Sequence, residues 1–222
     1  AAERVRPRLR IVFVIDTSGS MEGKKIVQAR SALKFLVERL RPTDRFNLVV
    51  YSDGASVYST EMLEPTAASI AAAGFFIDRL QAEGSTNIEQ ALQLALAQLE
   101  GDSERLSQVV FLTDGLPTVG EKDGRRLVEH AKKHNAADAR IIAFGVGFDV
   151  NGQFLDRLAV HNKGLSEYVL PSENIEEKVP GFYSRMQSPL VLDAELAVEG
   201  VPVHDVFPRV TGDIYGGHQQ LI

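Results

Sequence analysis

The sequence predicts an α/β fold in which a doubly wound, mainly parallel β-sheet carries helices on both faces and one antiparallel edge strand. Three observations support this prediction. Short apolar runs rich in β-branched residues recur along the chain, and small polar residues close the most apolar of them. Segments with apolar residues at helical spacing separate most of these runs, which is the alternation expected of a parallel sheet. The 222 residues are 44% hydrophobic and 24% charged, enough for one large domain with a sizeable core.

The first predicted unit is a strand, a polar loop and a helix. Residues 11–15 are all apolar, as expected of a central strand buried on both faces, and the sequence Asp-Thr-Ser-Gly-Ser follows at 16–20. Over residues 24–41 apolar side chains recur every three or four positions, which places one apolar stripe on a helix. Pro42 is expected to end that helix.

The next predicted strands form the antiparallel edge of the sheet. Residues 46–51 are one strand, and residues 55–58 are a short second strand. The three residues between them are too few for a crossover, so the pair is expected to be an antiparallel hairpin. Two predicted helices follow, at 67–80 and 88–99, with a polar loop at 82–87 between them.

The second half of the chain repeats the alternation of strands and helices. Residues 109–112 are a second strongly apolar strand, closed by Thr113, Asp114 and Gly115. The remaining predicted elements are strands at 141–146 and 168–170 and helices at 125–137, 154–160 and about 175–186. Pro180 lies within the last of these, so that helix is expected either to start at Pro180 or to be kinked there.

The pattern changes near the end of the chain. Beyond Pro189 the apolar residues have β-like spacing and two further prolines follow, so a domain boundary is expected near Ser188. The sequence thus predicts one domain over residues 9–188 and a partial β-rich extension of a following domain over 189–222. A new apolar stretch opens at Leu221, which predicts that the chain is a piece of a longer protein.

Composition excludes several classes of function. Lys and Arg number 24 against 30 Asp and Glu, a net charge of −6, so the basic excess typical of nucleic-acid binding is absent and no nucleic-acid partner is expected. The absence of cysteine excludes disulfides, thiolate nucleophiles and Cys-ligated zinc. No apolar run approaches the roughly 20 residues that span a bilayer, so no membrane span is expected in this fragment.

Polar side chains suited to a hard cation follow the two most apolar strands. Asp16, Ser18 and Ser20 alternate in the loop after the first strand, Asp114 follows the second, and Thr86 lies in the loop at 82–87. Because the carboxyl ends of parallel strands share one edge of the sheet, these side chains are expected to converge. Carboxylate and hydroxyl oxygens suit Mg²⁺, Mn²⁺ or Ca²⁺ rather than zinc or copper, and they leave a position for water or an incoming carboxylate.

These residues resemble the metal-ion-dependent adhesion site (MIDAS) of von Willebrand factor type A (VWA) domains, which is written Asp-x-Ser-x-Ser, then a Thr, then an Asp. The resemblance covers about residues 9–190 and implies a VWA/Rossmann-like fold. Within it, five segments are similar to the inter-alpha-trypsin inhibitor heavy chain branch of the family, at 12–25, 45–52, 84–92, 112–121 and 144–150.

The resemblance also implies roles for individual residues. Ser18, Ser20 and Thr86 would ligate the cation directly, whereas Asp16 and Asp114 would act mainly through bound water or switch between modes. Family members use the open coordination position to capture a Glu or Asp from a protein partner. The resemblance therefore implies a non-enzymatic, metal-dependent adhesion module outside the cytoplasm, secreted or in the cell envelope, whose partner and oligomeric state are left open.

Two other functions stay open on the residues alone. A strand ending in Asp-Thr-Ser-Gly-Ser also resembles Mg²⁺-dependent aspartyl-phosphate phosphatases, with Asp16 as the nucleophile. Against this reading, the sequence has no second Asp two residues after Asp16 and no acidic pair at Asp114. The third reading is a metal-free scaffold domain, because Asp and Ser are also preferred in turns and helix caps.

Overall fold

The structure is a computed structural model that describes residues 6–101, 104–170, 172–173, 175–187, 189–191 and 214–215. Its main sheet has six strands, which in chain order are β1 (Leu9–Asp16), β2 (Arg45–Tyr51), β3 (Ala55–Val57), β4 (Leu106–Thr113), β5 (Arg140–Val146) and β6 (Ser166–Val169). The strands lie in the order β3-β2-β1-β4-β5-β6. All neighbours are parallel except β2 and β3, which pair antiparallel at the edge. The predicted fold class is confirmed.

The described part of the chain forms six α-helices, which cover the two faces of this sheet. They are α1 (Lys24–Val37), α2 (Ala67–Asp78), α3 (Ile88–Ala97), α4 (Gly124–His134), α5 (Gly152–His161) and α6 (Ile175–Gln187). One core lies between the sheet and α1, α2 and α6, and the other lies between the sheet and α3, α4 and α5. This is the doubly wound arrangement expected when helices and parallel strands alternate.

The central strand β1 shows why an unbroken apolar run predicts this position. Ile11, Phe13 and Ile15 pack into the first core, whereas Val12 and Val14 pack into the second. All five side chains are fully buried because successive residues of a strand point to opposite faces. Both faces of β1 therefore need apolar residues, and the strand ends where polar side chains begin.

Helix α1 ends earlier than the sequence predicts. The α-helical part stops at Val37, and the chain continues through tighter turns in which Arg39 N donates to Leu36 O and Leu40 N to Val37 O, both at 3.3 Å. The expected stop at Pro42 therefore comes too late, because the apolar spacing persists through a turn that is no longer α-helical. The last helix, α6, begins at Ile175 and includes Pro180, so it does not start at that proline.

Little of the predicted C-terminal extension falls within the described residues. The short strands β7 (Pro189–Val191) and β8 (Ile214–Tyr215) pair antiparallel. The predicted boundary at Ser188 and the rest of the extension over 189–222 lie outside the described residues. Among the helices that are described, none combines the length and apolar character needed to cross a membrane.

Candidate metal centre

The predicted site lies where β1 and β4 end side by side. The two strands are parallel neighbours, with Ile15 opposite Leu112, so the residues that follow emerge at the same edge. Asp16 is the last residue of β1, and Asp114 directly follows β4. Both residues are almost completely buried. The sheet therefore brings together two carboxylates that are 98 positions apart in sequence, as their places after two apolar strands predict.

The carboxylate of Asp16 is fixed by three donors. Its Oδ1 accepts the backbone N–H of Ser18 at 2.9 Å, while its Oδ2 lies 2.6 Å from the Thr113 hydroxyl and 3.0 Å from the Tyr51 hydroxyl. The hydroxyl of Thr113 in turn accepts the N–H of Gly115 at 2.9 Å. These hydrogen bonds hold Asp16 in one orientation and tie it to the loop that carries Asp114.

The electrostatics of the corner formed by Asp16 and Asp114 disfavour a second negative charge. Burial raises the pKa of Asp16, hydrogen bonds from Ser18 and Thr113 act in the opposite direction, and the charge of Asp114 adds to the rise. Burial and the nearby Asp16 charge also raise the pKa of the Tyr51 hydroxyl well above its ordinary value. Two adjacent buried carboxylates are stable as a doubly ionised pair only when positive charge accompanies them.

The two serines of the loop after β1 converge. The hydroxyl oxygens of Ser18 and Ser20 lie 3.0 Å apart, and a 3₁₀-helix over Gly19–Met21 brings them to the same side. Ser18 is fully buried, whereas Ser20 is exposed to solvent. The pair thus extends from the buried carboxylates to the surface.

Hydrogen bonds join the loop that carries Thr86 to the loops after β1 and β4. Glu83 N donates to Thr17 O at 2.7 Å and Gly19 N donates to Gly84 O at 2.9 Å, which ties the loop at 82–87 to the loop after β1. Thr86 N donates to the Thr118 hydroxyl at 2.8 Å, which adds the loop after β4. Thr86 itself is only 2% exposed.

Asp53 braces the same loop from the turn between β2 and β3. Its Oδ1 accepts the backbone N–H of Ser85 at 2.7 Å, and this hydrogen bond lowers the pKa of Asp53. Gly84 has a φ of +79°, and a Cβ at this position would lie 2.7 Å from Oδ2 of Asp53. Only glycine combines this backbone conformation with such a close carboxylate.

We expect Gly84→Ala to lower the free energy of unfolding by about 1–3 kcal/mol, because alanine is strained at positive φ and displaces Asp53. Chemical denaturation measures the change. The matched control is Gly74→Ala within α2, where a Cβ meets nothing within 4 Å and alanine should stabilise the helix by up to about 1 kcal/mol. Equal stabilities of the two variants would contradict the strain assigned to Gly84.

Asp114 provides the observation that tests whether a cation fits. Its Oδ2 accepts a hydrogen bond from the ammonium group of Lys25 at 3.1 Å. Its buried Oδ1 has no hydrogen-bond partner among the described residues. A buried carboxylate oxygen without a partner is unfavourable, and coordination to a hard cation would satisfy it. The described residues contain no group of three or more His, Cys, Asp or Glu able to hold a metal, so hydroxyl ligands are needed here. Two carboxylates with nearby hydroxyls therefore fit a hard divalent cation.

Three hydroxyl side chains that hold this corner together were not identified from the sequence. Tyr51 and Thr113 hold the carboxylate of Asp16, and Thr118 holds the backbone of Thr86. A weak signal existed for two of them, because Tyr51 and Thr113 are hydroxyl-bearing residues at the ends of β2 and β4. Their partners became apparent only from the order of the strands.

Comparisons with known proteins relate the site to a family. The model of the von Willebrand factor type A domain matches residues 11–183. Inter-alpha-trypsin inhibitor heavy chain H4 of Homo sapiens is 36% identical over 219 residues, a match that covers 96% of this chain and 24% of that protein. This chain therefore spans about a quarter of the length of the curated relatives it matches.

Solved structures agree on the fold. A von Willebrand factor type A protein from Catenulispora acidiphila aligns with a TM-score of 0.74 at 24% identity, over 84% of this chain and 44% of that one. Proximal thread matrix protein 1 from the mussel byssus, described with zinc in its MIDAS motif, aligns with a TM-score of 0.61 at 21% identity. The alignment covers 80% of this chain and 46% of that one. Together with the family match over residues 11–183, these likenesses mean that the chain belongs to the von Willebrand factor type A domain family.

Proposed function

We propose that this domain is a protein-binding module that captures an Asp or Glu carboxylate of a partner through a divalent cation, with Mg²⁺ favoured and Mn²⁺ or Ca²⁺ as alternatives. The residues that would hold the cation are Asp16, Ser18, Ser20, Thr86 and Asp114. The observation that carries the proposal is the buried Oδ1 of Asp114, which lacks a partner beside a second buried carboxylate. A metal-free scaffold would leave that oxygen unsatisfied.

Charge balance explains why such a centre would attract an anion. The two carboxylates only offset the charge of a divalent cation, so the filled centre carries no net negative charge that would repel a partner's carboxylate. The bound cation supplies a Lewis-acidic position for an oxygen ligand. The protein's own part is to keep Asp16 oriented through Tyr51 and Thr113, and to leave Ser20 open to solvent.

The surface around this corner suits a protein partner. Leu116 follows β4 and Phe148 follows β5, so both lie at the sheet edge that carries Asp114. Their exposed fractions are 47% and 69%, which are high for large apolar side chains. Apolar side chains next to a charged centre provide area that a partner can bury, as in the core of a protein interface.

The same geometry argues against a phosphatase. A nucleophilic Asp needs an accessible carboxylate oxygen, but Asp16 is fully buried and both of its oxygens accept hydrogen bonds. We therefore propose a non-enzymatic role. Hydrolysis of a generic aryl phosphate that is lost in Asp16→Asn would contradict it.

The wider context is also part of this proposal. We propose that the domain covers residues 9–188, that residues 189–222 begin a following β-rich unit, and that the protein acts outside the cytoplasm. The family match over 11–183 and the similarity to the inter-alpha-trypsin inhibitor heavy chains support these statements.

A minimal carboxylate probe tests the proposed capture. We expect the peptide acetyl-Gly-Asp-Gly-amide to shift backbone NMR signals around Ser20, Thr86 and Asp114 in the presence of Mg²⁺ or Mn²⁺. One coordinated carboxylate buries little surface, so a Kd on the order of 1 mM is expected. The matched Asn peptide should not bind. Binding of the Asp peptide that persists unchanged in EDTA would overturn the mechanism.

A further inference from the structure

Lys25 makes an ion pair inside the candidate centre. It lies in the first turn of α1, and its Nζ is 3.1 Å from Oδ2 of Asp114. The side chains of Lys25 and Asp114 are 20% and 3% exposed. A second ion pair of α1, between Lys34 and Asp78, has exposed fractions of 35% and 56%. Water screens the Lys34 pair, whereas the Lys25 pair is largely shielded from solvent.

The path of the lysine side chain is built into the fold. Gly147 follows β5 with a φ of +127°, and a Cβ at this position would lie 2.9 Å from Cε and 3.3 Å from Cδ of Lys25. The aliphatic part of the lysine therefore lies against bare glycine backbone. This contact directs the ammonium group towards Asp114 and away from bulk solvent.

Lys25 and a divalent cation would bind the same carboxylate, that of Asp114. The ammonium group is a compact charge that already occupies Oδ2, while Oδ1 is buried without a hydrogen-bond partner among the described residues. A divalent cation coordinated at the same carboxylate would lie within a few ångströms of the ammonium and repel it. Both charges offset the negative charges of Asp16 and Asp114, so each can replace part of the other's role.

We propose that Lys25 is a built-in counter-ion of Asp114 that competes with the divalent cation and so sets the cation concentration at which the centre fills. This inference rests on the metal centre proposed above. Without the cation, the lysine partly neutralises the two buried carboxylates and stabilises the domain. When the cation binds, the ammonium group leaves Oδ2, and the flexible lysine stem allows that movement.

The test compares Lys25→Met with Lys24→Met in the whole chain, using isothermal titration with Mn²⁺ and with Mg²⁺. Methionine keeps the stem of the side chain and removes the charge, and Lys24 is the exposed neighbour on the same turn. We expect Lys25→Met to bind the metal about tenfold more tightly, equivalent to about 1.4 kcal/mol, and to melt at a lower temperature than wild type in EDTA. Lys24→Met should change the metal affinity by less than about twofold and the melting temperature by less than about 1 °C, as expected for a solvated charge.

The possible results separate this inference from the metal centre itself. Metal binding of equal or lower affinity in Lys25→Met would overturn the competition while leaving the centre in place. An absence of metal binding in both wild type and Lys25→Met would overturn the proposed centre and this inference with it. If Lys25→Met does not fold, Lys25→Gln is used with the same expectations, because glutamine is also neutral and can still donate a hydrogen bond to Asp114.

Discussion

Asp114→Ala should abolish the thermal stabilisation that Mg²⁺ or Mn²⁺ gives to the wild-type domain. A ligand at about 100 times its Kd adds about 2.7 kcal/mol to the stability of the folded state. For a domain of this size that corresponds to a rise in Tm of roughly 5–10 °C. The alanine variant lacks both the partnerless Oδ1 and the carboxylate paired with Lys25, so the cation loses half of its charged ligands. Thermal unfolding with and without metal measures the difference.

The matched control for that experiment is Asp78→Ala. It also removes an aspartate paired with a lysine of α1, but the pair is exposed and joins the last turn of α1 to the end of α2. The control should keep the full metal-dependent rise in Tm. A rise of the same size in Asp114→Ala, or no rise in the wild type at saturating metal, would contradict the assignment of Asp114 to a metal centre.

The position of the candidate site could be predicted because it depends on patterns that are local in sequence. β1 and β4 are buried on both faces, so each is a nearly unbroken apolar run, and the first polar residue after it marks the end of the strand. In a parallel sheet these ends share an edge, which is enough to place Asp16 beside Asp114. The antiparallel edge pair was also predictable, since the short link between β2 and β3 permits no other connection.

The contacts that tune the site could not be predicted, because they join residues far apart in the chain. The Tyr51 and Thr113 hydroxyls meet Asp16 across 35 and 97 positions, and Lys25 meets Asp114 across 89. Lys25 comes only nine positions after Asp16 in the sequence, but that spacing gives no distance to Asp114. The end of α1 was misplaced for a different reason: apolar spacing reports burial, and Leu40 is still buried after the α-helical hydrogen bonds have ended.

Asp16→Asn should stabilise the domain in EDTA at neutral pH while removing its response to metal. Burial raises the pKa of Asp16 above the ordinary value of 3.8, so the folded state disfavours the ionised carboxylate. Asparagine keeps an oxygen to accept the Ser18 N–H, and its amide can donate to the Tyr51 hydroxyl, which then donates its own proton to Thr113 Oγ1 at 3.0 Å. Without the negative charge, the about 2.7 kcal/mol expected from metal at 100 times its Kd should be lost, as for Asp114→Ala.

The pH dependence of the free energy of unfolding shows whether the ionised Asp16 carboxylate destabilises the folded state. A carboxyl group whose pKa is raised on folding contributes stability below its unfolded pKa, and that contribution disappears as the pH rises through the folded pKa. The advantage of Asp16→Asn over wild type in EDTA should therefore grow from about pH 4 upwards and then level off. Asp44→Asn is the contrasting control, since Asp44 is equally buried but is paired with Arg41 and accepts the Leu9 N–H. It should lose about 1–3 kcal/mol at neutral pH. A comparable loss in Asp16→Asn would mean that the protein already compensates the buried charge of Asp16 without a cation. It would contradict the assignment of Asp16 to a metal centre.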